Sequence, residues 1–267
     1  MILPFQYALR RYVRFNTQCG QEQETGGLMK PIVIEATTIP DAWFQCLYTL
    51  IDESRKPDGA ARRYTVDTGS NPGADRIEFD MAMIHIRQPG IRPLLPQIPE
   101  HLNLPPVADE KYLSEYMPYL LSPQKAPGEH YTYGERLQIA WQYVIDYYKK
   151  HGGRTNRMCM EIGRPEDVFY YDREDGSSPC LRLVDTRVME GKLHWVLYFR
   201  SWNLWSGFPV NLAGLQQAKE IMAMEIGAED GELVAISKGL NIRDYNIEVA
   251  LMRLQRDTGI ELGARRE

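Results

Sequence analysis

The sequence predicts an α+β fold. Strand-like runs follow one another in the C-terminal half with few helices between them: MCMEIG (158–163), CLRLVDTRV (180–188), KLHWVLYFR (192–200) and GELVAISKG (231–239). A doubly wound sheet would instead alternate strand and helix throughout. One long helical pattern, FPVNLAGLQQAKEIMAMEIG (208–227), interrupts the strands, with Leu212, Leu215, Met222 and Ile226 on one face and Gly227 as its stop. The 267 residues are enough for a single domain with a sizeable core.

Taken in order, residues 1–30 end in the polar run NTQCGQEQETGG and read as a loosely ordered extension, with Met29 a candidate start and the folded domain running over 31–267. IPDAWFQCLYTLIDE (39–53) reads as a helix that Asp41 can cap, its stripe being Trp43, Cys46, Leu47, Leu50 and Ile51. RYTV and RIEFDMAMIHI read as strands on either side of a Thr-Gly-Ser-Asn-Pro-Gly turn. Residues 89–109 hold six prolines and no period, the mark of an irregular loop. EKYLSEYMPYLL (110–121) reads as a helix that Pro118 would kink or shorten, and 136–153 as a helix with lysines in its last turn and a glycine stop. The Glu190-Gly191 pair joins two strands, and 244–259 reads as the last helix.

The net charge of −5 offers no global basic surface for a nucleic acid polymer, although a local arginine cluster can still hold a small phosphate. The four cysteines, Cys19, Cys46, Cys159 and Cys180, show neither a CxxC pair nor a zinc spacing, so no metal is expected. No apolar run approaches the roughly 20 residues of a membrane span. A reduced, cytoplasmic protein is the expectation.

Three stretches carry chemistry. In YFRSWNLWSGFPVNLAGL (198–215), a strand delivers Arg200 and Ser201 at its end, a guanidinium and a hydroxyl suited to a phosphate. Gly207 and Pro209 then turn the chain into a helix, whose first turn carries Asn211. An amide both donates and accepts, as the O4 and N3–H edge of uracil requires. In SSPCLRL (177–183), Cys180 opens a strand after a proline, where Arg200 would favour a thiolate. GGRTNRMCMEIG (152–163) sets Arg154 and Arg157 at a loop-to-strand junction. The plainer reading is a surface arginine, a capping asparagine, a buried cysteine and a solvated pair.

Order and spacing together favour the first reading. Residues 200–211 resemble the thymidylate synthase signature R-S-x-D-x-x-x-G-x-P-x-N at every spacing. Pro179-Cys180 resembles the family's Pro-Cys nucleophile, and Thr155-Asn156-Arg157 its Ser-Arg-Arg phosphate loop. SKGLNIRDYNIE (237–248) falls where the family has S-G-D-x-H-x-Y. Looser likenesses are RIEFDM to M-R-F-D-L, EYMPYL (115–120) to E-L-L-W-F-L, and HYTYGERL (130–137) to P-V-Y-G-x-x-W. The resemblance spans about 40–250, and Cys-Leu in place of Cys-His resembles the divergent archaeal-type branch.

That resemblance implies a thymidylate synthase-like fold: a mixed β-sheet with a long central helix, the sheet packed at a homodimer interface. It implies Cys180 as nucleophile toward carbon 6 of a pyrimidine nucleotide, with Glu115 and Tyr133 in acid/base and water-ordering roles. Arg200, Ser201 and a partner subunit's Arg157 would hold the 5′-phosphate, Asn211 the base, and Asn241 and Arg243 the sugar. Asn203 and Gly207 would face 5,10-methylenetetrahydrofolate, the carbon donor. Asn203 replaces the family's pterin-binding aspartate, while Asn241 and Arg243 stand where it has His and Tyr. Methylation of dUMP leads. A pyrimidine nucleotide hydroxymethylase, a UMP-directed relative and an inactive nucleotide-binding homologue are the alternatives, with Glu78 and Glu135 as rivals to Glu115.

Overall fold

The computed structural model describes residues 28–66, 73–153, 155–172 and 178–256. The expected extension up to residue 27, most of the turn at 67–72 and Arg154 therefore lie outside the described residues.

The first strand, β1 (Pro31–Ala36), leads into α1 (Ile39–Arg55) through a reciprocal cap. The Thr38 hydroxyl accepts from the Asp41 N–H, and the Asp41 carboxylate accepts from the Thr37 N–H at 2.7 Å. Thr38 is thus the cap, and Asp41 sits inside the first turn. Trp43, Cys46, Leu47, Leu50 and Ile51 are fully buried on the predicted stripe.

β2 (Ala61–Thr65), β3 (Asp75–Phe79) and β4 (Met81–Ile86) follow. The run 76–86, expected as one strand, divides at Asp80. Its carboxylate accepts from the Lys30 N–H and from the Arg62 guanidinium, fixing a corner that sends β3 and β4 into different sheets. The proline-rich stretch has only a short 3-10 turn at Glu100–Leu102. α2 (Glu110–Leu121) keeps Pro118 in its last turn without ending there, and α3 (Tyr133–His151) starts three residues earlier than expected because Thr132 caps it through the Glu135 N–H. Then come β5 (Cys159–Glu161), β6 (Leu181–Met189), β7 (Lys192–Phe199), β8 (Trp202–Asn203), α4 (Gly207–Ile226), β9 (Glu229–Ser237), β10 (Leu240–Arg243) and α5 (Asp244–Arg253).

The strands form two mixed sheets. One has six strands in the order β1-β4-β9-β7-β6-β5, and the other four in the order β2-β3-β10-β8. The architecture is mixed α/β, compatible with the fold that the resemblance implies. α4 is buried nearly all round, packed against α1, α2 and α3 and against β7, β8 and β9. Its buried Lys219 is satisfied by the carbonyl of Gly231 and by Asp230 at 3.2 Å, and burial holds that amine below its usual range.

Strand alternation gives the six-stranded sheet two faces. Leu193, Trp195, Leu197 and Phe199 of β7 and Leu233 and Ala235 of β9 are buried toward the helices. On the other face Val196, Tyr198, Val234 and Ile236 are half-buried, while Val33 and Met83 are exposed. No described helix is long and apolar enough to cross a membrane.

Candidate active site

Three chain segments meet at one corner, and local bonds explain why. β6 begins at Leu181, just after Pro179 and Cys180, beside the end of β7. The Arg200 N–H donates to the Cys180 carbonyl at 2.9 Å. The Arg200 guanidinium donates to the carbonyls of Ser178 at 2.6 Å and Pro179 at 3.1 Å. Two of its five N–H donors thus hold the turn that presents Cys180. Half-buried Cys180 thus directly follows the two carbonyls that the guanidinium holds, and Ser201 lies at the same corner.

Tyr133 closes the corner from the start of α3. Its hydroxyl accepts from the Leu181 N–H at 3.3 Å. Burial, with the nearby Tyr116 and Cys180, pushes its phenol well above the usual range, so it stays protonated at neutral pH. A buried ion pair fastens this contact from behind. Arg136, one turn along α3, makes a two-bond fork to Asp167 at 2.9 and 3.0 Å, and Arg182 of β6 reaches the same carboxylate at 2.7 Å.

Asn211 enters from the first turn of α4. Trp43 of α1 donates to the carbonyls of Leu204 and Trp205 at 3.0 and 3.1 Å, fixing the loop before that helix. The Trp202 indole N–H donates to the Asn211 oxygen at 2.9 Å, and the Asn211 amide donates to the Tyr116 hydroxyl at 2.8 Å. These two bonds orient the amide and leave one lone pair and one N–H. Gly207 leaves room here: a Cβ on it would meet its nearest neighbours, Asn203 and Asn211, only at 3.4 and 3.8 Å. Tyr116, Tyr119 and Tyr133 form a continuous aromatic wall, with ring centroids 5.7 and 5.1 Å apart, from Asn211 back to Cys180.

Cys180, Tyr133, Arg200, Ser201, Asn211 and Gly207 are thus brought to one region. Others are placed elsewhere. Glu115 faces outward on α2, 64% exposed and 3.9 Å from Lys111. The inward stripe of that helix is buried Leu113 and Leu120 with half-buried Tyr116 between them, so helical geometry turns position 116 inward and 115 away. Glu135 pairs with Lys125 at 3.0 Å. Asn203 accepts from the Ser206 N–H at 3.0 Å and so caps the turn into α4. Asn241 is buried, and both its amide protons go to backbone carbonyls, of Gly239 at 2.8 Å and Trp202 at 3.1 Å. Arg243 donates to the Tyr245 hydroxyl at 2.9 Å and lies over that ring, rather than pairing with Asp244 or Glu248. Arg157 is exposed on the loop before β5. Tyr116 and Trp202, which orient Asn211, were not picked out from the sequence; the signal for Tyr116 was the spacing of Leu113, Tyr116 and Leu120 beside the more conspicuous Glu115.

No family model matches the chain. Individual proteins do. The chain is 28% identical over 221 residues to a Methanosarcina barkeri protein named "Putative thymidylate synthase", covering 80% of this chain and 90% of that one. A Methanothermobacter thermautotrophicus protein of the same name is 26% identical over 226 residues, covering 81% and 96%. The Listeria monocytogenes thymidylate synthase is 28% identical over 107 residues, a match that covers 40% of this chain and 33% of that enzyme. These likenesses, carried mainly by archaeal proteins over most of the chain, support a divergent thymidylate synthase-like family for this protein.

Proposed function

We propose that the chain transfers a one-carbon unit to carbon 5 of a uracil nucleotide 5′-monophosphate, after covalent attack by Cys180 at carbon 6. The observation that carries this reading is the convergence of the Cys180 turn, the Arg200 guanidinium and the oriented Asn211 amide on one corner. The thiolate adds to carbon 6, the electron pair moves toward O4, and carbon 5 becomes nucleophilic. The free N–H of Asn211 faces O4 and its free lone pair faces N3–H. Arg200 and Ser201 hold the phosphate. Tyr116 and Tyr133, both protonated, are the hydrogen-bond donors nearest the base and the thiol. Glu115 enters this scheme only if α2 rotates it inward, so the proton-handling role falls first to the tyrosines.

The resemblance to thymidylate synthases implies dUMP to dTMP with 5,10-methylenetetrahydrofolate as the leading donor. The donor's site is only partly suited. A side chain at Gly207 would stand in contact with Asn203, Asn211 and Trp202, so glycine keeps that approach clear. Asn203 offers an amide whose oxygen is already committed to Ser206, where pterin N–H groups need an acceptor. No step is therefore routed through Asn203. The half-exposed apolar face of the six-stranded sheet suits a second copy of the chain, which would let Arg157 of the partner subunit reach the phosphate.

Tritium release from carbon-5-labelled dUMP and UMP, with and without the folate, tests the reading. Release above background is expected, because proton loss at carbon 5 requires the carbon-6 adduct. Nucleotide binding without any release would leave an inactive binding protein. Asn211→Asp is expected to move relative affinity from dUMP toward dCMP by about tenfold or more, since a mismatched hydrogen bond in a closed pocket is worth about 1–3 kcal/mol. Calorimetric titration of both nucleotides checks this, and an unchanged ratio would remove Asn211 from the base.

A further inference from the structure

The small sheet brings Glu78 to the edge of the proposed phosphate corner. Arg62, Glu78, Asn241 and Asn203 are direct cross-strand neighbours in one row over β2, β3, β10 and β8. Opposed residues in a sheet project to the same face. Gly239 stands between Glu78 and the corner. A Cβ built on Gly239 would lie 3.4 Å from Glu78 Oε2, 3.1 Å from Ser201 Cα and 2.9 Å from the Arg200 carbonyl. Only the missing side chain lets the carboxylate and the corner come so near. A cleft of about 310 Å³ opens beside them, lined among others by Tyr64, Glu78, Arg62 and Lys238.

A carboxylate next to a phosphate site repels the dianion, and this one is met by the Tyr64 hydroxyl and by the charges of Arg76 and Lys238. Asn241, the residue expected to take a sugar hydroxyl, has no amide proton left to give. Glu78 accepts from the Tyr64 hydroxyl at 3.1 Å, which fills one of about four acceptor positions on a carboxylate. Burial and the charge of Glu78 push the Tyr64 phenol up to about 12, so it remains a donor that aims the carboxylate. Burial raises the Glu78 carboxyl, against the Tyr64 hydrogen bond and the Arg76 and Lys238 charges, which favour its ionised form; a carboxylate accepts from vicinal sugar hydroxyls, as the acidic residue of dinucleotide-binding folds does.

We propose that Glu78 reads the sugar of the bound nucleotide and selects a ribonucleotide, with its 2′,3′-diol, over the 2′-deoxynucleotide. The inference rests on the reading that a nucleotide phosphate sits at Arg200 and Ser201. It sets this chain apart from the deoxynucleotide reaction named for its relatives, at the sugar alone.

Calorimetric titration of UMP and dUMP into the wild type, Glu78→Gln, Tyr64→Phe and Arg200→Ala tests it. The wild type is expected to bind UMP about tenfold more tightly than dUMP, a ratio of the size that one lost polar contact produces. Glu78→Gln should bring that ratio to within about threefold while raising dUMP affinity, because it removes the carboxylate's repulsion of the phosphate; Tyr64→Phe should lower the ratio partway, and Arg200→Ala should weaken both nucleotides alike. A wild type that prefers dUMP, or a ratio that Glu78→Gln and Tyr64→Phe both leave unmoved, overturns the role of Glu78 and leaves the phosphate corner standing. A wild type that binds neither nucleotide overturns the corner and this inference together.

Discussion

Replacement of Cys180 by serine is expected to lower tritium release from the labelled nucleotide by a factor on the order of 10,000 or more, as loss of a covalent nucleophile does. Nucleotide affinity should stay within about tenfold, roughly 1.4 kcal/mol. The separation follows from the geometry. The turn that presents residue 180 is held by the Arg200 guanidinium through the Ser178 and Pro179 carbonyls, and by the Arg200 N–H through the Cys180 carbonyl. None of these bonds involves the thiol, so serine leaves the corner in place. A hydroxyl ionises negligibly at neutral pH, and no carboxylate or histidine is among the described contacts of residue 180 to act as its base. Rapid-quench assay and titration of the same variant read the two effects independently. Substantial release from the serine variant would place the nucleophile elsewhere. Of the other described cysteines, Cys159 is held up at about 11 by burial and by nearby Asp185 and Glu161, and Cys46 is raised further by full burial.

Asp167→Asn is expected to cost about 3–5 kcal/mol of stability at neutral pH, because it leaves the buried Arg136 charge without its partner. The Asp167 side chain is 2% exposed and accepts from both guanidiniums and from the Arg164 N–H. Burial alone would raise its carboxyl. The hydrogen bonds from Arg136 and Arg164 and the two positive charges outweigh that and hold it below the ordinary carboxylate range. A depressed folded pKa contributes stability that is fully present above the unfolded value, near 3.9, and is lost as pH falls through the folded value. The wild type should therefore lose this contribution in acid, and the variant, having lost it already, should show a flatter profile there. Urea unfolding from pH 7 down to pH 3 measures both. Parallel profiles for the two proteins would mean that folding does not lower the Asp167 carboxyl below its unfolded value. The same ion pair ties α3 to β6, and with them Tyr133 to Cys180, so its loss should also loosen the site before the core.

How far the sequence foretold these features depends on the range of the interactions. Helix ends were legible from local signals, Gly152 closing α3 and Gly227 in a left-handed conformation ending α4, whereas the Thr132 cap that starts α3 three residues early was not read. The boundary between β3 and β4 was not, because both halves of 76–86 alternate alike and the break comes from Asp80 meeting Arg62 and the Lys30 N–H, 18 and 50 residues away. β8 and β10 are short; β10 gains its pairing from β3, far off in the chain, and β8 pairs with β10. The same division holds at the site. The Arg200–Asn211 spacing is local and marked out the corner, whereas the choice of Tyr116 over Glu115 depends on how α2 is rotated against α4, which Gly214 records by its close approach to the Tyr116 ring. Asn241 reads as a sugar ligand by position; in the structure it is buried within the row of strands on either side of it, and its amide braces two backbone carbonyls.

The central claim, that Cys180 bonds to carbon 6 of a pyrimidine nucleotide, is tested most directly by mass spectrometry. The protein is incubated with 5-fluoro-dUMP or 5-fluoro-UMP in the presence of methylenetetrahydrofolate, denatured and digested. Fluorine cannot leave carbon 5 as a cation, so an adduct that forms is retained. A nucleotide-sized mass increase on the peptide that holds Cys180, absent from the Cys180→Ser protein, is the predicted result. An unmodified Cys180 peptide, or an adduct on Cys46 or Cys159, from protein that releases tritium would contradict it.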